Sequence, residues 1–330
     1  MRILVVGGAG YIGSHICKAL AARGDEPIVF DNLSAGHEHA VRWGPLFRGD
    51  IRQKVDVLKA FADHKPDAVM HFAANIEVGE GEREPLAFWE NNVGGVISLL
   101  SAMEEVACNK LVFSSTCATY GMPETLPLTE NEPQAPINVY GRTKLAVERM
   151  LADVSRAKGL RYAALRYFNA SGASPDGEIG EEHAVETHLI PLALRAAAGL
   201  GDGLKVFGSD YDTPDGTCIR DYIHVSDLAS AHLAALDCLF ENDGGFACNV
   251  GTGHGYSVKE VLDAVEKVTG RKVPHEMCDR RAGDPPRLYA DVTLSREVLA
   301  FKPVRSDLET IVRDAWNFHR QKWQVACTVD

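Results

Sequence analysis

Gly7-Gly8-Ala9-Gly10-Tyr11-Ile12-Gly13 stands between an apolar strand pattern at residues 2–6 and a helical pattern at 12–23. Gly7, Gly10 and Gly13 make the spacing G-x-x-G-x-x-G. A strand that turns sharply into a helix here needs residues without Cβ atoms, so that the backbone can approach a pyrophosphate. The helix start then offers free N–H groups and a partial positive charge. Asp31 ends the next strand pattern, 27–30, at the spacing of a carboxylate that accepts hydrogen bonds from an adenosine ribose. An acid there repels a 2′-phosphate, so the expected cofactor is NAD rather than NADP.

Outward from this turn, strand patterns recur at 67–72, 110–113 and 161–165, with helical patterns at 85–106 and 139–156. Continuous apolar strands alternating with helices imply a parallel sheet covered on both faces, a Rossmann-type doubly wound α/β fold. After Asn169 the rhythm loosens, with helical patterns at 186–198, 225–239, 257–268 and 306–319. We expect an NAD-binding domain over 1–168, to which some later segments return, and a smaller mixed α/β substrate domain over 169–330.

The bulk numbers agree with a globular chain. Of 330 residues, 45% are hydrophobic, which supplies a full core, and the net charge of −12 argues against nucleic-acid binding. The eight cysteines are scattered without a C-x-x-C pair, as reduced thiols are. With neither a signal peptide nor a membrane-length apolar run read, the expected setting is cytoplasmic. His183 and His188 sit near Glu181, Glu182 and Glu186 but lack H-E-x-x-H spacing, and Asp210, Asp212 and Asp215 do not complete a calcium loop; no metal is expected.

Tyr140-Gly141-Arg142-Thr143-Lys144 is Y-x-x-x-K, which puts phenol and ammonium on one helix face. A free phenol has a pKa of about 10, and a neighbouring ammonium, with a positive nicotinamide, would lower it toward that of a useful base. Ser114-Ser115-Thr116 ends a strand, where hydroxyls line the crevice of such sheets.

Taken together these segments resemble the extended short-chain dehydrogenase/reductase superfamily. Gly49-Asp50-Ile51-Arg52, His71-Phe72-Ala73-Ala74 and Asn91-Asn92-Val93 are similar to its cofactor segments. The resemblance implies a cofactor site of Gly7, Gly10, Tyr11, Ile12, Gly13, Asp31, Asn32, Asp50, Ile51, Phe72, Ala73, Ala74, Asn91, Ser114, Tyr140, Lys144 and Tyr167. It also implies a catalytic set of Tyr140, Lys144 and Thr116.

Later motifs narrow the resemblance to UDP-glucose 4-epimerases. These are Leu165-Arg166-Tyr167-Phe168-Asn169, Val206-Phe207-Gly208 with Asp215-Gly216-Thr217, Arg220-Asp221-Tyr222-Ile223-His224-Val225, and Arg280-Arg281-Ala282-Gly283-Asp284. Arg220 and Arg281 are then expected to clamp a diphosphate, Phe207 to contact uracil, Asp284 to meet a ribose or Arg281, and Asn169 to hold a phosphate or sugar oxygen. His188, Leu189, Val206 and Tyr222 complete the implied substrate pocket, with Thr116 and Tyr140 at the sugar.

The implied activity interconverts UDP-glucose and UDP-galactose through a 4-keto sugar and retained NAD, as part of galactose metabolism, in a homodimer joined through helices around 85–106 and 139–156. Cys117 and Ala118 follow Thr116 where 4,6-dehydratases carry acids, which counts against dehydration. Ile76, His188 and Leu288 depart from common epimerase residues. A UDP-N-acetylhexosamine, UDP-xylose or UDP-arabinose substrate, or another nucleotide-sugar reaction of the superfamily, therefore stays open. The retained Tyr140 and Lys144 argue against a non-catalytic NAD-binding regulator.

Overall fold

A computed structural model describes residues 1–281 and 283–325. Ala282 of the R-R-x-G-D motif, Cys327 and the other residues of 326–330 lie outside the described residues. The chain opens with β1 (Arg2–Val6), α1 (Tyr11–Arg23), β2 (Glu26–Asp31), β3 (Leu46–Arg48), α2 (Lys54–His64) and β4 (Ala68–His71). There follow α3 (Val78–Arg83), α4 (Pro85–Trp89), α5 (Gly95–Glu105), β5 (Lys110–Thr116), α6 (Val139–Lys158) and β6 (Arg161–Tyr167). Next come β7 (Asn169–Ser171), α7 (Leu189–Ala197), β8 (Leu204–Phe207), β9 (Ile219–Arg220), β10 (Tyr222–His224), α8 (Val225–Glu241) and β11 (Gly245–Val250).

Seven strands form one parallel sheet in the order β11-β6-β5-β4-β1-β2-β3. The order reverses between β1 and β4, so a crevice opens at the C-terminal ends of these strands, where such sheets bind ligands. Ile3, Val5, Ile16, Leu20 and Leu236 pack one face, which α1 and α8 cover. Leu4, Val6, Leu99, Phe113, Val147 and Leu151 pack the other, under α2, α5 and α6. Burying each large side chain of this kind is worth about 1.5–3 kcal/mol. A smaller body has its own core of Ile190, Leu194, Val261, Val265, Ile311 and Trp316. Among the described residues no helix is long and apolar enough to cross a membrane, and the seven described cysteines are free thiols.

The expected helix over 85–106 is interrupted by a π-helical segment, Glu90–Gly94. Asn92, buried in that segment, exchanges two hydrogen bonds with the Asn75 backbone (2.8 and 2.9 Å) and donates to the Thr143 hydroxyl at 3.1 Å. The bulge therefore ties the exit of β4 to α6, a common use of π-segments at functional sites. The expected helix over 186–198 starts only at Leu189, because Glu186 turns its carboxylate back to accept the N–H groups of Thr187 (2.7 Å) and His188 (2.8 Å). β3 and α3 carry too few patterned residues to be read from the sequence, whereas α2 repeats Val57, Leu58 and Phe61 at helical spacing.

Candidate active site

The glycine turn joins β1 to α1 with Gly7 at φ +82°, a left-handed conformation that glycine adopts without strain. A Cβ on Gly7 would lie 2.5 Å from the Ala73 nitrogen, and one on Gly13 would lie 2.1 Å from the Gly7 carbonyl oxygen. Close packing of turn, helix and β4 exit thus requires both glycines. Gly10 is the N-cap of α1 and supplies no side-chain cap, which leaves first-turn N–H groups, including those of Tyr11 and Ile12, for an anion. Asp31, buried at the end of β2, accepts from the Ala9 N–H at 3.0 Å and the Leu33 N–H at 2.8 Å. Its carboxylate thereby braces the turn itself, a role the ribose reading had not included. This unobstructed, glycine-lined cradle with an acid beside it fits the pyrophosphate and adenosine ribose of NAD.

Other expected cofactor residues gather around the crevice with partners of their own. The Tyr11 hydroxyl donates to the Gly172 carbonyl at 2.7 Å, fastening α1 to the loop after β7. Asn32 accepts from the Ser34 N–H, Asp50 holds Arg52 through paired hydrogen bonds, and Asn91 donates to Asn92. Ile51 is buried against the Gly95 position. Phe72, Ala73 and Ala74 leave β4 half-buried, the Phe72 N–H donating to the Val6 carbonyl at 2.7 Å.

The catalytic set is assembled by β5 and α6. Asn138 caps α6 by accepting the Gly141 N–H at 2.8 Å, so Tyr140 sits in the first turn. A Cβ on Gly141 would lie 2.6 Å from the Ala118 carbonyl oxygen, which shows how closely α6 approaches the residues after Thr116. Enclosure raises the Tyr140 phenol well above its usual value, and Tyr167 adds to this; the Thr116 hydroxyl pulls the other way. Lys144 is almost fully buried, and desolvation lowers its pKa to about 7 against the opposing pull of Glu148. Its ammonium nitrogen lies 5.8 Å from the Tyr140 ring centre and donates to the Ser114 carbonyl at 2.7 Å. The lysine is itself short of solvation, and without the nicotinamide charge that the expected lowering also invokes, the phenol stays raised. Tyr167 and Ser114 meet through their hydroxyls at 2.5 Å.

Beneath this set lies a buried polar network that the motif reading passed over. Arg166 forks onto Glu148 with contacts of 2.6–3.1 Å and donates to the Tyr120 hydroxyl at 2.8 Å. Tyr120 donates to Asn249 at 2.7 Å, and Ser115 donates to Glu148. Glu148 stands one turn after Lys144, on the face of Tyr140. Its i+4 spacing from Lys144 was the available signal. Ser115 serves this network rather than the crevice.

In the smaller body, β9 and the loop before Arg287 bring Phe207, Arg220, Arg281 and Asp284 together. Arg281 forks onto Asp284 at 3.0 and 3.1 Å and lies 5.9 Å from the Phe207 ring centre. Arg220 is 3.7 Å from Asp284. Phe207 is exposed, as a residue awaiting a stacking partner would be, while Val206 and Tyr222 are buried and Leu189 half-buried. Buried Asp221, unassigned in the sequence reading, accepts from Thr252, Gly253 and Ala290 and so anchors the strand between its neighbours Arg220 and Tyr222. Arg220 and Asp221 both act on the buried Cys117 thiol, whose pKa burial raises to about 12. Cys117, the residue after Thr116, packs in one apolar cluster with Leu288, which pairs with Arg220 in the sheet, so the Arg220 strand borders the end of β5. Asn169 pairs through its N–H with the Asp221 carbonyl at 3.0 Å.

His188 is paired with two carboxylates of its own loop. Its Nδ1 lies 2.5 Å from Glu181 and 3.4 Å from Glu186. Burial opposes its charge, yet the two carboxylates raise its pKa to about 10. Burial raises Glu186 in turn, but His183 and His188 hold it well below the usual carboxylate range.

Residues 3–251 match the NAD dependent epimerase/dehydratase family. The chain is 54% identical to a UDP-glucose 4-epimerase of Rhizobium meliloti (strain 1021), over 98% of each sequence. It superposes on UDP-glucose 4-epimerase from Brucella ovis in complex with NAD with a TM-score of 0.94 and 56% identity, covering 96% of this chain and 98% of that one. A UDP-glucose 4-epimerase from Stenotrophomonas maltophila, with bound NAD and formylated UDP-arabinopyranose, gives a TM-score of 0.95 at 40% identity, covering 99% and 100%. With the glycine turn, the Tyr140–Lys144 helix and a match over most of its length, the chain belongs to the NAD dependent epimerase/dehydratase family.

Proposed function

We propose that this protein is a UDP-sugar 4-epimerase that interconverts UDP-glucose and UDP-galactose. The observation that carries the reading is that Thr116 ends β5 and Tyr140 lies in the first turn of α6, on the same sheet whose β1 runs into the glycine turn. Relatives of that name at about half sequence identity over the full chain support it.

The glycine turn, Asp31 and the strand ends around Phe72 and Ser114 would hold NAD, which when bound supplies the acceptor and donor of hydride. Arg220 and Arg281 bind the two phosphates by charge-assisted hydrogen bonds, and Phe207 stacks on the base. Tyr140, with Thr116 relaying, accepts the proton of the sugar 4-hydroxyl as C4 is oxidised to the ketone, and returns it as C4 is reduced on its other face. Anchoring at the nucleotide leaves the sugar free to turn between the two events, and remote binding energy offsets the cost of ordering. Lys144, in its protonated form, favours the deprotonated phenol.

Free thiols fit a reducing, cytoplasmic setting. Exposed Leu86, Trp89 and Ile97, at 82%, 38% and 51%, give the α4–α5 side an apolar face suited to a homodimer.

Incubation with UDP-hexoses, UDP-pentoses and UDP-N-acetylhexosamines, without added NAD, is read by proton NMR. C4 inversion of UDP-glucose is expected to be fastest. Tyr140→Phe should slow it by about 100- to 10,000-fold. Unchanged turnover in that variant, or no inversion of any UDP-sugar by the native protein, defeats the reading.

A further inference from the structure

Between β7 and α7 the loop carries Glu181, His183, Glu186 and His188 in the order E-x-H-x-x-E-x-H. No helix spans them, so this spacing had given no reason to expect a metal. The fold nevertheless converges their side chains, and one ligand-type atom from each lies within 4.8 Å of all the others. The separations are His183 Nδ1 to Glu181 Oε1 at 3.5 Å, His183 Nδ1 to Glu186 Oε2 at 3.4 Å, and His188 Nδ1 to Glu186 Oε1 at 3.4 Å. A tetrahedron with bonds of about 2.0–2.1 Å has edges of about 3.3–3.4 Å. These three imidazole-to-carboxylate separations are of that size, with Glu186 turning a different oxygen to each histidine. His188 Nδ1 and Glu181 Oε1, at 2.5 Å, form a close ion pair that a bound ion would open by about 1 Å.

A second observation points to a ligand. Glu181 is 2% exposed, and its Oε1 has no hydrogen-bond partner. The Nδ1 of His188, also buried as an atom, has none either. Beyond the ion pairs within this group of four, the oxygen and the ring nitrogen have nothing to bond, and such groups are costly to bury. A cation between them would satisfy both. Two imidazole nitrogens with two carboxylate oxygens suit zinc, and four protein ligands leave no open position for chemistry.

We propose that Glu181, His183, Glu186 and His188 bind a structural zinc ion that fixes the loop leading into α7. The neighbouring group of His37, His39 and Glu182 is a poorer site, because Lys322 already neutralises Glu182.

The test measures metal per chain in the full-length holoenzyme, purified with zinc in the medium and dialysed against a weak chelator. Chelator-stripped enzyme is then titrated with cobalt(II). One zinc per chain and the intense visible bands of tetrahedral cobalt are expected. His183→Asn should weaken zinc binding by at least about 100-fold, more than loss of a supporting hydrogen bond does, with NAD content and circular dichroism unchanged. His183→Cys, which restores a ligand, should recover the metal and add a sulfur-to-cobalt charge-transfer band, so the proposal stays testable if His183→Asn folds poorly. His39→Asn should keep its zinc. The proposal is overturned by native enzyme that retains no stoichiometric zinc, by weak octahedral cobalt bands, by equal uptake in His183→Asn, or by loss of the metal in His39→Asn.

Discussion

Lys144 donates its ammonium proton to the carbonyl oxygen of Ser114, at 2.7 Å, and not to the phenol of Tyr140. The lysine thus ties α6 to the end of β5 at the residue whose hydroxyl also meets Tyr167. It is buried, with a pKa lowered to about 7 by desolvation.

That burial has a pH signature in protein stripped of its dinucleotide. Between about pH 7 and the ordinary lysine value of about 10.4, the unfolded chain holds a proton that folded Lys144 has released. Stability then rises with pH, by up to about 1.4 kcal/mol per unit from this group. Below about pH 7 both states are protonated and the contribution levels off at its least favourable value. Urea unfolding of the stripped protein across this range should show the slope, and Lys144→Met should remove it.

Gly141 lets α6 approach the chain after Thr116, where a Cβ would sit 2.6 Å from the Ala118 carbonyl oxygen. Gly141→Ala must push the start of α6 outward and carry Tyr140 with it. A displacement of about 1 Å at a reacting group can cost about 100-fold in rate. We expect that loss in kcat with the affinity for UDP nearly unchanged. Steady-state kinetics and calorimetry with UDP check the two halves.

Glu148 and Arg166 form a buried pair, with side chains 6% and 8% exposed. Glu148→Leu leaves the guanidinium uncompensated and should cost about 3–5 kcal/mol in denaturant unfolding. Adding Arg166→Met should recover most of it, because an apolar pair of similar volume carries no buried charge. A double variant as unstable as Glu148→Leu alone would mean that Arg166 is solvated by other groups.

Arg220 is held in place by Ile219 and Asp284 and is 13% exposed, whereas the Arg281 side chain is 65% exposed. A preorganised, desolvated arginine gives more to a diphosphate than a mobile one. Arg220→Ala should lose about 1.5–3 kcal/mol of UDP binding, or about 10- to 150-fold, with a smaller loss for Arg281→Ala. Isothermal titration with UDP ranks the two.

Much of the sheet could be read in advance because buried parallel strands are continuous apolar runs with glycine or acid at their ends. Arg2–Val6 and Lys110–Thr116 are of this kind. The helix Val139–Lys158 was equally legible, since Asn138 caps it and Gly159 ends it. The short strand Leu46–Arg48 was not, because three residues carry no period. The helix at 85–106 was read as unbroken because its pattern carries no trace of Asn92 reaching across to Thr143.

The sequence by itself determined the doubly wound architecture, the dinucleotide turn and the pairing of Tyr140 with Lys144, because these follow from local spacing and from glycine's freedom of φ. Only the tertiary structure decided that Lys144 answers to Ser114, that Glu148 and Arg166 neutralise each other under the site, and that two glutamates and two histidines of an irregular loop share one small volume. Electrostatic partners and ligand shells depend on distances across the chain and on the water excluded between them, and no residue spacing encodes either.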